Sequence, residues 1–145
     1  MSFSSEKGYS IIETLIVLTM TTILLGVTIF SFQPLQRSLQ KKIFISQLQA
    51  DLYFLQSFAI NQKQTSILEF GNRNGYYQGA SITGEVLFYR KLPEYVTQVQ
   101  NERLFRVIIN PNGNTDRFGD LYFIVHGKEI KLRFHIGQGR FYVYE

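Results

Sequence analysis

The chain has 145 residues, with 15 Lys and Arg against 11 Asp and Glu, 2 His and no Cys. That is room for one domain with an appendage, and a hydrophobic share of 45% takes it out of the disordered class. Without cysteine there are no disulfides, thiolate nucleophiles or Cys-ligated metals, and a net charge of +4 permits a polyanionic partner without requiring one.

A short polar stretch, Met1 to Gly8, gives way at once to an apolar run. Ile11 to Phe32 holds 22 residues and one formal charge, Glu13. As a helix this run is about 33 Å long, enough to cross a hydrocarbon core. A secretory signal has an apolar region of roughly 7–15 residues and then a small-residue cleavage site. This run is longer, and no Ala-x-Ala follows it. Glu13 needs an explanation. A charge near the centre of a span costs roughly 2.5–3.5 kcal/mol, and less near an end. One turn inside, its carboxylate either reaches the headgroups or meets a counter-charge.

The neighbouring residues favour a counter-charge. In Gly8-Tyr9-Ser10-Ile11-Ile12-Glu13 a glycine stands directly before an aromatic, and the acid follows four residues later. A cut after Gly8 would leave the α-amino group of Tyr9 as a natural partner for Glu13. The pattern resembles the class III leader of type IV pilins and pseudopilins. The resemblance implies that prepilin peptidase, a membrane aspartyl peptidase, cuts Gly8–Tyr9 and that Tyr9 is then N-methylated. It also implies that Glu13 pairs with the N-terminus of a neighbouring subunit during assembly. The usual first mature residue of the family is Phe, so Tyr9 is a departure, conservative in size and shape. One cue points the other way. Lys and Arg accumulate on the cytoplasmic side of a span, yet Lys7 precedes this one and Arg37, Lys41 and Lys42 follow it. The resemblance implies a cytoplasmic leader and an exported C-terminal domain.

The helical pattern continues beyond the apolar run. Ile45, Leu48, Leu52, Leu55 and Ala59 recur at spacings of three and four, while Lys42, Gln49, Gln56 and Lys63 form a polar stripe. Together these predict one helix from about Tyr9 to about Gln62, kinked near Pro34, with Gly26 a second soft point. From Thr65 the pattern changes to short alternating runs between turn residues. The abundance of Phe and Tyr suits such a domain. Strands are expected over 66–70, 76–78, 86–89, 95–99, 104–109, 121–126, 130–136 and 140–144. Turn signals include Gly127-Lys128, and 110–119 reads as a flexible loop. The fold class is α+β, a pilin-like long helix followed by a small antiparallel sheet domain. Its expected parts are a leader over 1–8, a helix over 9–63 spanning the membrane at about 11–32, and a β domain over 64–145.

The tail strengthens the resemblance. Asn110-Pro-Asn-Gly113, Asp120-Leu-Tyr-Phe123 and Ile136-Gly-Gln-Gly-Arg140 resemble the C-terminal strands of minor pseudopilins. The size and the absence of Cys are most similar to the D-type minor pseudopilin of the Gram-positive competence pilus. That resemblance implies a single-pass membrane protein, moved to the cell surface on assembly, that serves uptake of external DNA in natural transformation. The alternative is a minor pseudopilin of a type II-like protein secretion system. The implied partners are prepilin peptidase, the other pseudopilins of the filament, the membrane, and DNA directly or through the pilus.

The sequence holds no motif for catalysis, for a cofactor or for a metal. Asp116 and Asp120 offer too few oxygen ligands for a Ca²⁺ loop, and His126 and His135 read as ordinary strand residues. One row does carry charge. Lys131, Arg133 and His135 alternate on a single strand face with no acid among them, Glu129 stands just before, and Lys128 and Arg140 lie close in sequence. Beside Tyr142 and Tyr144 this face is either a solvated surface that guards a sheet edge or a DNA contact through Lys128, Lys131, Arg133 and Arg140.

Overall fold

The computed structural model describes residues 10–71, 75–99, 106–116, 118–135 and 140–144. One helix, α1 (Ile11–Gln62), leads into strands β1 (Ser66–Phe70), β2 (Tyr76–Ser81), β3 (Val86–Lys91), β4 (Val96–Val99), β5 (Arg106–Ile109), β6 (Gly119–Val125), β7 (Lys128–Phe134) and β8 (Phe141–Tyr144). The strands form two four-stranded antiparallel sheets, ordered β3-β2-β1-β5 and β4-β6-β7-β8. The α+β expectation holds, with two sheets where the alternation had suggested one.

The chain divides into two compact units, Met1–Gln40 and Lys41–Glu145. In the first, large apolar side chains from Ile11 to Leu39 stand exposed. The stretch has no single apolar face of the kind a soluble surface helix presents. It is long and apolar enough to cross a membrane. The helix runs on through Pro34, which supplies no N–H to the carbonyl of Phe30.

In the second unit α1 is one-sided. Phe44, Leu48, Leu52, Leu55 and Ala59 are buried, so the apolar face begins one residue earlier than the spacing from Ile45 indicated. Both sheets contribute to the same core as this face. Phe123 of β6 meets Phe44 of α1 edge-on at 5.3 Å and Phe70 of β1 at 5.7 Å. The three layers therefore converge on one ring. At its C-terminus α1 closes with Lys63 left-handed at φ 53° and Gln64 N–H donating to the Ala59 carbonyl at 3.2 Å, a Schellman-type stop built without glycine.

Polar pins fix the sheets on the helix. Ser66 Oγ, fully buried, donates to the Leu55 carbonyl at 2.9 Å. Asp51, 4% exposed, accepts from Tyr77 OH at 2.7 Å and from Gln47 Nε2 at 3.0 Å. Arg90 adds two longer bonds to the same carboxylate, each 3.3 Å. Burial, and then the hydrogen bond to Asp51, push the Tyr77 hydroxyl well above the usual tyrosine range, so it remains a donor. Backbone approach is close at Gly79, where a Cβ would strike the Phe88 ring and come within 2.9 Å of Leu55.

Two expectations need correction. The 110–119 segment is not a loose loop over Asn110–Asp116. Asn110 N–H donates to Asn114 and Gly113 N–H to Asn110, each at 2.8 Å, and Asp116 N–H donates to Ile108 at 3.1 Å. Thr115 bridges Ile109 of the first sheet, and its hydroxyl donates to the His135 carbonyl beyond β7 at 3.3 Å. Gln56 is the other correction. It leaves the polar stripe to donate to the Gly113 carbonyl at 3.3 Å, which ties this turn to α1.

Replacing Asp51 removes the acceptor for a buried hydroxyl, whereas replacing Arg90, 46% exposed, removes a partner that water already serves. Asp51→Ala is expected to cost about 2–4 kcal/mol of unfolding free energy and Arg90→Gln less than about 1 kcal/mol. Urea unfolding followed by tyrosine fluorescence checks both, and equal losses would contradict the ranking.

Candidate functional sites on the helix and the second sheet

Glu13 lies in the first turn of α1 and is exposed. A carboxylate there faces the positive end of the helix dipole. Ser10 precedes the first helical residue, and its carbonyl accepts from Glu13 N–H at 3.0 Å and Thr14 N–H at 3.2 Å. Ser10 and Glu13 thus have the Ser-x-x-Glu spacing of a capping box. Glu13, Thr14, Val17, Leu18 and Thr21 line one groove along the helix.

The five threonines of the apolar run resolve their own polarity. Thr14, Thr19, Thr21, Thr22 and Thr28 each donate to a carbonyl three or four residues back, at 2.8–2.9 Å. Each hydroxyl is satisfied within the helix and can enter lipid or a protein interface without a stranded donor. Among the described residues Glu13 has no cation partner for its charge. Gly8 and Tyr9, the expected processing residues, lie outside the described residues.

The second site is the outer face of the second sheet. Its geometry starts at a turn. Val125 pairs with Lys128, and His126 and Gly127 between them have φ 50° and 77°, the two positive values of a type I′ hairpin. His126 is therefore a turn residue rather than a strand residue, with its ring stacked on Tyr95 at 4.8 Å. This turn sets Asp120 opposite Arg133 and Tyr122 opposite Lys131. On the other side of β7, Tyr142 stands opposite Arg133 and Tyr144 opposite Lys131. Ile130, Leu132 and Phe134 point the other way into the core, as the alternation required; Ile136 falls outside the described residues.

The row of cations is thus interrupted from the neighbouring strand. Asp120 accepts from Arg133 Nε at 2.8 Å, Arg133 Nη2 at 3.0 Å and Tyr122 OH at 3.3 Å, and pairs with Lys131 Nζ at 3.1 Å. The Arg133 fork, followed by the Lys131 hydrogen bond, outweighs burial and lowers the Asp120 carboxyl to about 2. Arg133 lies 5.6 Å from the Tyr144 ring centroid and Lys131 5.8 Å from that of Tyr122. Lys128, first in β7, and Arg140, just before β8, are exposed. Of the four expected DNA-contacting cations, two are therefore committed to Asp120 and to tyrosine rings, and two stand at the margins. Asp120 was visible in the sequence, but only the register brings it into the row. The sequence had suggested a turn at Gly127-Lys128, one residue later, and that turn sets Asp120 opposite His135 instead.

No family model and no curated protein matches this chain. Among solved structures it is similar to the type IV minor pilin FimU of Pseudomonas aeruginosa strain PAO1 in two crystal forms. The P21 form aligns with a TM-score of 0.56 at 14% identity, over 69% of this chain and 84% of that one. The P65 form gives 0.55 at 14%, over 69% and 89%. The fold is that of a type IV pilin.

Because the folded-state carboxyl of Asp120 lies below its unfolded value, its contribution to stability is complete above about pH 5 and fades as pH falls toward 2. Asp120→Asn should be less stable than the parent at pH 7, with the gap closing between pH 5 and 2. Thermal melts across that range check it, and a gap that is constant with pH would contradict the assignment.

Proposed function

We propose that this chain is a minor pilin-like subunit of a filament, structural rather than catalytic, anchored in the membrane by one span until assembly. The observation that carries the reading is Glu13, a lone acid at the start of an apolar helix whose threonines have all satisfied themselves, on a pilin fold. Its cost in an apolar surrounding falls if a positive charge arrives from another subunit. Prepilin peptidase would generate that charge by cutting Gly8–Tyr9, and N-methylation would leave it on Tyr9. The segments then serve as a leader over 1–8, a helix over 9–63 crossing the membrane at about 11–32, and an exported β domain over 64–145. The system we favour is a competence pilus serving uptake of external DNA, with DNA contact through Lys131, Arg133 and Arg140 on the outer face of the second sheet and Lys128 at its hairpin end.

Glu13→Gln separates assembly from capping, because glutamine also completes a capping box but carries no charge. The variant should accumulate in the membrane at parental levels and lose at least about 90% of its incorporation into sheared filaments, a loss equivalent to about 1.4 kcal/mol or more. Normal incorporation of Glu13→Gln would sink the charge-pairing role. Gly8→Ala should instead leave a chain that keeps its leader.

A further inference from the structure

The outer face of the second sheet is apolar across its strands and changes charge along them. Val99 is 37% exposed, Ile124 38%, Tyr142 47% and Tyr144 48%, and register and alternation put all four on this face. The long side chains of Lys131 and Arg133 connect them, lying 5.8 Å from the Tyr122 ring centroid and 5.6 Å from that of Tyr144. Exposed apolar side chains gathered on one face, rather than scattered singly, mark a contact surface.

The charge changes sign along β7. Glu129 stands on this face at the hairpin end, and Lys131 and Arg133 follow on the same side. Lys128 shares the other side of β7 with Ile130, Leu132 and Phe134. Asp120 supplies one negative charge against the two of Lys131 and Arg133, which leaves the far part of the face net positive. Arg140 adds to it, since its carbonyl accepts from His135 N–H at 3.2 Å just beyond β7. Among the described residues neither Glu129 nor Arg140 has an ion partner. A face that is acidic at one end and basic at the other is complementary to its own copy with the strands reversed. A two-fold axis in the interface, running across the strands, sets Glu129 of each copy over the Arg140 end of the other. The contact is then made twice, as an isologous interface requires. An axis along the strands brings acid to acid and base to base.

We propose that two copies of this chain pair through this face, sheet against sheet with their strands reversed. Val99, Ile124 and the two tyrosines supply the burial, and the reciprocal Glu129–Arg140 contacts set the register. A pair of this kind is closed by its symmetry and does not propagate. It is a different contact from that of the filament and does not depend on Glu13. Pairing covers the outer-face cations assigned above to DNA, so the paired form is closed to DNA there.

The chain has no cysteine, so an introduced one reports alone. The test treats the full chain in non-ionic detergent with a bismaleimide of about 10 Å reach, matched to the spacing of packed sheets. A mixture of Glu129→Cys and Arg140→Cys chains should give a cross-linked dimer with one of each, because the mixed pair keeps its second Glu129–Arg140 contact. Either variant alone should give at least tenfold less, since the run from Glu129 to His135 holds like sites roughly 20 Å apart. In a second arm, Glu129→Arg and Arg140→Glu should each weaken self-association at least tenfold by sedimentation velocity, because each places like charges together twice. Mixed with each other, the two reversals should recover the parental level. Unchanged thermal melts show that the variants fold, and Glu13→Gln should pair as the parent does. Equal cross-linking of like and unlike sites overturns the proposal, as does a mixture of reversals that associates no better than either alone. A parental chain that stays monomeric overturns it too. Association through the apolar helix would persist in both reversals and would count against this face.

Discussion

In the second unit everything follows from a shortage of helix surface. One stripe of α1, from Phe44 to Ala59, is the floor for two separate sheets. Leu52, Leu55, Leu68, Phe123 and Leu132 are at most 1% exposed. Side chains this tightly enclosed cannot shift to accommodate a poor fit. The remaining devices serve that convergence. Gly79 lets β2 approach the helix, Ser66 anchors β1 to a helix carbonyl, and Asp51 receives Tyr77 from the sheet. Thr115 then links the first sheet to the chain just beyond β7 of the second.

The two carboxylates at the candidate sites are handled in opposite ways. Asp120 is surrounded by donors from its own sheet, and its charge is settled within the chain. Among the described residues Glu13 has only the helix dipole and the Ser-x-x-Glu spacing of a cap to draw on, and neither supplies a full counter-charge. A group whose charge is settled organises a surface. A group left with an unsettled charge in an apolar helix invites a partner. That difference is why the proposed contact between subunits rests on Glu13 and not on Asp120.

The sequence disclosed most of what depends on local periodicity. The helix was expected to end near Gln62 and does. Strand β1 has the expected bounds, and strict alternation placed Ile130, Leu132 and Phe134 in the core. What it concealed depends on which residues lie side by side across strands or layers. Gln56 looked like part of a polar stripe because its acceptor, the Gly113 carbonyl, is 57 residues away. The 110–119 segment looked loose because Asn, Pro and Gly mark turns equally well whether or not the turn is tied down. Asp120 was weighed only as a possible Ca²⁺ ligand, and a shift of one residue in the turn was enough to hide its pairing with Arg133. Self-bonded threonines were legible in principle, since a helix always offers a carbonyl three or four residues back.

The central claim is that the chain is cut and modified at its N-terminus to create the charge that Glu13 needs. The most direct measurement is the intact mass and N-terminal sequence of the protein, purified from membranes of cells with and without prepilin peptidase. A chain that begins at methylated Tyr9 only when the peptidase is present is the result expected. A chain that retains Met1–Gly8 in both strains would contradict it and leave Glu13 as a helix cap alone.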